Sequence, residues 1–238
     1  MGRAFEVRKA AMAKTSAAKT KVYSRFGKEI YMAAKSGEPN PEMNLSLRRI
    51  IDKAKAAQVP SDIINRAIDK AKGNDEANYN ESRYEGYGPG ESNIIVECLT
   101  DNANRTYSEV RNCFNKNNGK LGVLNSVMYL YDHVGMLMFS FEDEDAILEV
   151  CIEHDVDVKE IEKEEDKISL LVEPTDLYKA KEAIETLVPD IEFDQLETTY
   201  LPQIEVELNQ EDQESFDKLL AMLDELDDVQ NVVHNVKL

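Results

Sequence analysis

The stretch GMLMFSFEDEDAILEVCIEHDVDVKEIEKEEDKISLLVEPTDLYKAKEAIETLVPDIEFDQL, residues 135–196, decides the fold. Met136 to Phe141 is an apolar run short enough for a strand. Ala146, Ile147, Val150 and Cys151 then recur at helical spacing. Val156 to Ile161 reads as a second strand, and the charged Glu164-Glu165-Asp166 turn joins it to a third at Ile168 to Val172. Pro174 opens a second helix with an inner stripe of Leu177, Ala180, Ile184 and Leu187. Ile191 to Leu196 is the fourth strand. The order βαββαβ is the ferredoxin-like arrangement.

The flanks of this unit complete each other. Before it, Arg83 to Tyr87 is a short strand, and Gly86-Tyr87-Gly88-Pro89-Gly90 is a turn. Asn93 to Leu99 (NIIVECL) is a buried strand. Asp101 or Asn104 caps a helix with Tyr107, Val110, Cys113 and Phe114 inward, Asn117-Asn118-Gly119 ends it, and Val127 to Tyr131 returns as a strand. After Pro202, Ile204, Val206 and Leu208 alternate with Glu205 and Glu207. Asn209 caps a helix burying Phe216, Leu219, Leu220, Leu223 and Leu226, and Val229 to Val236 is a closing strand. A terminal βαβ piece cannot bury its own apolar face, so it is expected to join the incomplete ββαβ unit. The fold expected is α+β multidomain: an N-terminal helical bundle plus two α+β domains, one ferredoxin-like and inserted in the other. The expected boundaries are 1–75 for the basic helical domain with its arm, 80–132 with 203–238 for the split domain, and 133–202 for the insert.

Charge separates the front from the rest. Residues 1–73 carry 16 Lys and Arg against 7 Asp and Glu, a net of +9, inside a chain whose formal charge is -19. Such asymmetry points to a polyanion-binding part on an acidic body. Arg3, Arg8, Lys9, Lys14 and Lys19 stud a weakly apolar start, expected to be a frayed helix or mobile arm. From Lys21, the residues Val22, Phe26, Ile30 and Ala33 form one apolar stripe, with Lys21, Arg25, Lys28 and Lys35 on the opposite face as a basic ridge. Asn40-Pro41 is expected to start the next helix, with Met43, Leu47, Ile50, Ile51 and Ala54 inward and Arg48, Arg49, Lys53 and Lys55 outside. Ser61 is expected to cap a third helix, with Ile64, Ala67, Ile68 and Ala71 inward and Gly73 as its stop. Cations clustered in this way suit a phosphate backbone, and their affinity should fall steeply with salt.

Other chemistry finds little support. The chain holds 42% hydrophobic and 32% charged residues, as folded domains do. It has no apolar run long enough for a membrane span, and a secretory signal is not expected. A cytoplasmic location is expected. Cys98, Cys113 and Cys151 have neither CxxC spacing nor an even count and are expected to be buried free thiols. The carboxylate runs Glu142–Asp145 and Glu162–Asp166 lack Ca²⁺-loop spacing, and His133, His154 and His234 form no metal-binding pattern. The Gly86–Gly90 turn is not a phosphate-binding loop. Neither an enzyme nor a cofactor, metal, membrane or small-molecule substrate is expected.

Several motifs stand in a recognisable order: Met1-Gly2-Arg3, GEPNPEMNLSLRRIIDKAKAAQVPSDIINRAIDKAKG at 37–73, RYEGYGPG at 83–90, ECLTDNANRT at 97–106, EPTDL at 173–177 and DDVQNVVHNV at 227–236. On these the chain resembles the YebC/PmpR family, whose eukaryotic relatives include the translational activator of cytochrome oxidase. It is similar to the subgroup beginning Met-Gly-Arg, whereas the commoner start carries Ser-Lys-Trp and this chain has no Trp. The resemblance implies three domains with the ferredoxin-like one inserted. It also implies a nucleic-acid-binding regulator of gene expression, described either as a DNA-binding transcriptional regulator or as a ribosome-associated translation factor that contacts rRNA and tRNA and relieves stalled synthesis. Both descriptions fit the residues. The family motif adds Asn102 and Arg105 as a second polar contact site, next to their capping role.

Overall fold

The apolar repeat that begins at Val22 builds helix α1 (Lys19–Ser36) in the computed structural model, which describes residues 19–73 and 79–237. Helices α2 (Leu45–Ala56) and α3 (Ser61–Lys72) pack with it. Their stripes meet in one cluster of Ile30, Ala33, Ala34, Leu47, Ile51, Ala54, Val59, Ile64, Ala67 and Ile68, with Val22, Phe26, Ile50 and Ala71 at its edge. Burial of each large aliphatic side chain contributes roughly 1.5–3 kcal/mol to the bundle.

Two helix starts in the bundle differ from expectation. Asn40 and Pro41 form a turn, in which the Asn40 carbonyl accepts from Met43 N at 3.0 Å, and the cap of α2 is Asn44. Its Oδ1 accepts from Leu47 N at 3.0 Å while its amide donates to the Ala33 and Glu38 carbonyls. Met43 therefore lies in the turn rather than on the helix stripe, and is 75% exposed. Ser61 is the first residue of α3, and the cap position is Pro60, which makes no side-chain bond. The end of α2 is sharp because Gln58 takes a left-handed φ of 59°, and Val59 N then reaches back to the Ala54 carbonyl at 2.9 Å.

The split domain contributes β1 (Asn80–Tyr87), β2 (Asn93–Thr100), α4 (Ala103–Lys116) and β3 (Lys120–Leu121) before the insertion. The helix labelled α7 (Gln210–Asp224) and strand β8 (Val229–His234) follow it. The sheet order is β3-β1-β2-β8, antiparallel throughout. The terminal piece thus joins the first segment, as its orphan apolar face requires. Strand β2 is buried along Ile94, Ile95, Val96, Cys98 and Leu99, while α4 and α7 bury Val110, Cys113, Phe114, Phe216, Leu219 and Leu223. No strand runs over Val127 to Tyr131: Val127 ends a loop, and a 3-10 turn spans Met128–Leu130. Ile204 to Leu208 is likewise no strand. Its one ladder contact is a parallel bridge from Val206 to Val236; Ile204 is 73% exposed, while Val206 and Leu208 are half-buried.

Between β3 and α7 lies the ferredoxin-like unit: β4 (Tyr131–Ser140), α5 (Glu144–Glu153), β5 (Val158–Glu164), β6 (Lys167–Val172), α6 (Leu177–Leu187) and β7 (Phe193–Pro202). Its antiparallel sheet runs β5-β6-β4-β7. One face buries Leu137, Phe139, Ile168, Leu170 and Val172 with Ile147, Cys151, Leu177, Ala180 and Ile184 from the helices. Val134, Met136, Met138, Leu171 and Leu201 form a second cluster on alternate positions of the same strands. The carboxylate runs have local jobs, since Asp143 caps α5 by accepting from Ala146 N and Glu165 turns the β5–β6 hairpin at φ 56°. By contacts the helical bundle and most of the split domain form one compact unit, and the ferredoxin-like unit, with 203–207 and 235–237, forms another. Among the described residues no helix is long and apolar enough to cross a membrane.

Gly86 in β1 is a sensitive position. A Cβ there would stand 2.5 Å from Phe114 Cε1 and 2.9 Å from the Lys120 carbonyl oxygen. Phe114 is fully buried, so neither neighbour has room to retreat. Gly86→Ala is expected to cost about 1–3 kcal/mol, read as a lowered Tm by circular dichroism; an unchanged melt would contradict this packing.

Candidate nucleic-acid interface

The basic ridge of α1 does not face outward as a set. Lys28 directs its ammonium into the split domain, where Nζ donates to Asp228 Oδ1 at 2.9 Å, the Asp227 carbonyl at 2.9 Å and the Leu99 carbonyl at 3.3 Å. Three N–H bonds thus meet three acceptors, and the side chain is only 13% exposed. The ring of Tyr79 lies 5.4 Å from the same ammonium. Near the end of α7, Asp224 takes the Arg25 guanidinium at 2.7 Å.

Asp228 is the node of this arrangement. Its other oxygen, Oδ2, accepts from Arg105 at 2.6 Å, Thr106 at 2.8 Å and Thr100 at 3.0 Å. Its carbonyl accepts from Leu99 N at 2.8 Å. The side chain is 5% exposed. Burial alone would raise its pKa, but the hydrogen bonds from Arg105, Lys28 and Thr106 outweigh that and hold the carboxyl well below the usual range. The reciprocal effect raises Arg105, through its bonds to Asp228 and then Asp101. Asp228 also helps burial lift the Cys98 thiol to about 12. Cys98, Cys113 and Cys151 are all buried and free.

The residues singled out for phosphate binding consequently separate into groups. Arg25, Lys28 and Arg105 are engaged by carboxylates. The cleft around Lys28 and Arg105 is lined by Asp101, Glu109, Glu225, Asp227 and Asp228, so its own field repels a phosphate. Helical periodicity places Lys28 and Arg25 away from the bundle's core, and in the structure the split domain occupies that side. Asn102 acts as a cap, its Oδ1 accepting from Arg105 N at 3.1 Å; neither Asp101 nor Asn104 takes that place. Lys35 donates to the Tyr31 hydroxyl at 2.8 Å and stands over its ring. Lys21 is half-buried near the start of the described helix. Arg3, Arg8, Lys9 and Lys14 lie outside the described residues, and of Lys19 only the backbone is described.

What α2 presents is different. Arg48, Arg49, Lys53 and Lys55 lie off the Leu47-Ile51-Ala54 stripe, with Asp52 as the acidic residue among them. Arg48 wraps the preceding turn, donating to the Pro41 and Glu42 carbonyls and meeting the Glu42 carboxylate at 3.4 Å, with both side chains exposed. An exposed pair of this kind contributes only about 0–1 kcal/mol and leaves its cation within reach of a competing phosphate.

Sequence reasoning passed over Asp228, Thr100, Thr106 and Glu85. Glu85, fully buried in β1, holds the loop 122–127: Oε1 accepts from Asn125 N at 2.8 Å and Oε2 from Val127 N at 2.9 Å. The signal was present in the motifs 83–90, 97–106 and 227–236, which contain these four residues. Charge counting alone cannot show which carboxylate meets which cation.

Asp228→Asn is expected to destabilise the unit by about 3 kcal/mol at neutral pH, because it leaves Lys28 and Arg105 without their countercharge. The folded-state pKa is depressed, so the stabilisation is fully present above the unfolded value of about 3.9 and is lost as pH falls below it. Melting curves of wild type and variant should therefore converge in acid; equal Tm values at neutral pH would contradict the node.

Comparison with known proteins places the chain. The model for the TACO1/YebC protein N-terminal domain matches residues 3–74, and that for the TACO1/YebC second and third domain matches residues 79–236. The chain is 54% identical to a protein of Pseudoalteromonas atlantica over 99% of its own length and 97% of the relative. It is 52% identical to one of Alteromonas mediterranea, with 99% and 98% covered. Each of the two is named a probable transcriptional regulatory protein. A crystal structure of a conserved hypothetical protein from Aquifex aeolicus superposes with a TM-score of 0.77 at 36% identity, covering 94% of this chain and 92% of the other. The basic bundle, the split domain and the inserted ferredoxin-like unit are thus those of the TACO1/YebC family, to which this chain belongs.

Proposed function

We propose that the chain is a nucleic-acid-binding regulator of gene expression, acting in the cytoplasm on DNA as a transcriptional regulator. The names of the relatives support regulation of transcription. The observation that carries the binding is the partition of cations. Asp224 and Asp228 engage Arg25 and Lys28, whereas α2 carries Lys53 and Lys55 off its buried stripe, beside an Arg48 held only by an exposed pair. Contacts from such a face go to the phosphate backbone and position the protein without reading bases. The acidic remainder of the chain, with 12 Lys and Arg against 40 Asp and Glu over residues 74–238, disfavours a polyanion over most of its length.

Replacing Lys53 and Lys55 with Gln should weaken DNA binding at every sequence tested. It should also reduce the slope of log affinity against log salt by about 2, one per lost phosphate contact. Fluorescence anisotropy over a salt series reads both, and an unchanged slope would move the contact away from α2. Crosslinking in cells with sequencing of the bound nucleic acid tests the target. Discrete DNA sites support the transcriptional reading, and rRNA with tRNA would replace it with a ribosomal one.

A further inference from the structure

The loop 122–127 of the split domain is held with more effort than a connection needs. Besides the two bonds to the buried Glu85 carboxylate, Gly122 N donates to the Glu85 carbonyl at 2.8 Å. Arg83 donates to Asn125 Oδ1 at 3.1 Å, and the Tyr87 hydroxyl donates to the Ser126 carbonyl at 3.0 Å. Asn125 adopts a left-handed φ of 65°. A Cβ at Gly122 would stand 2.4 Å from Ser126 Oγ. Val127 is fully buried and anchors the far end. At the tip, Val123 is 77% exposed and Leu124 63% exposed. Single exposed apolar side chains need no explanation. An adjacent pair displayed on a loop fixed by a buried carboxylate does, because ordering the loop gains nothing from burying them.

Charge identifies what the pair faces. Residues 110–127 contain Arg111, Lys116 and Lys120 and no Asp or Glu, within a remainder of the chain that is otherwise strongly acidic. Lys120 is exposed on the edge strand β3, directly opposite Tyr87 in the ladder. The loop, itself uncharged, thus leaves the edge strand just after Lys120 and carries two apolar side chains near the half-exposed Tyr87 ring. A phosphate backbone alone would use the lysines and ignore Val123 and Leu124. A duplex hides its base faces in the stack, whereas an unpaired segment offers base faces to apolar side chains beside phosphates that reach the lysines.

We propose that the loop 122–127 is a second nucleic-acid contact, which seats Val123 and Leu124 against unpaired bases while Lys120 and Lys116 take the flanking phosphates. It rests on the nucleic-acid reading above and adds the class of target, an unpaired strand. The fixed loop geometry means that little ordering entropy is lost on binding.

The test uses the full chain with Val123 and Leu124 both replaced by Ser, substitutions at exposed positions that should leave Tm unchanged. Binding is read by anisotropy with short fluorescein-labelled probes of one mixed sequence: single-stranded RNA, single-stranded DNA and duplex DNA. The variant should lose about tenfold in affinity for the single strands, with an unchanged salt slope and unchanged duplex binding. A greater loss on RNA than on DNA, or the reverse, supports the contact and assigns its natural strand. Equal single-strand affinity of variant and wild type overturns the contact while leaving the α2 face standing. A wild type that binds none of the three probes removes the nucleic-acid reading itself, and this contact with it.

Discussion

The organising constraint of the described bundle and split domain is the buried carboxylate of Asp228. A charge taken out of water must be paired and hydrogen-bonded or it destabilises the fold. Here one oxygen takes Lys28 from the bundle, and the other takes Arg105, Thr106 and Thr100 from the β2–α4 junction. Residues 200 and 128 positions apart in the chain are thereby brought to one point. The split domain closes there, and the bundle is joined to it there.

That joint decides how the basic front can be used. Its net charge is the same whether or not Lys28 and Arg25 are paired, but the accessible part is not. With these two engaged by Asp224 and Asp228, the α2 face is the surface proposed to meet the polyanion. Glu85 does for the loop 122–127 what Asp228 does for the bundle: a buried carboxylate fixes backbone that would otherwise fluctuate. In both places a buried acid holds an exposed or basic element in a set position.

The apolar stripes were legible because burial repeats with the helical or strand period. Ile30, Leu47, Ile51, Ile64 and Ile68 are core residues as their spacing implies, and the βαββαβ order follows from the same alternation. Helix starts were less legible, since Asn40, Asn44, Pro60 and Ser61 all carry capping or first-turn preferences and only local geometry selects Asn44. The strand expected at Ile204 failed because alternation describes a side-chain pattern and not the presence of a neighbouring strand. The roles of Asp228 and Glu85 were illegible for a different reason. Each depends on partners distant in sequence, and an isolated Asp or Glu among 47 acidic residues carries no periodic signal.

Lysine acetylation footprinting by mass spectrometry, with and without bound nucleic acid, tests the central claim that the front's cations are divided between a structural joint and a binding face. Lys28 should be unreactive in both states because its three N–H bonds are occupied. Lys53 and Lys55 should react in the free protein and be protected in the complex. A Lys28 that reacts in the free protein and is shielded by nucleic acid, with Lys53 and Lys55 unaffected, would contradict the account.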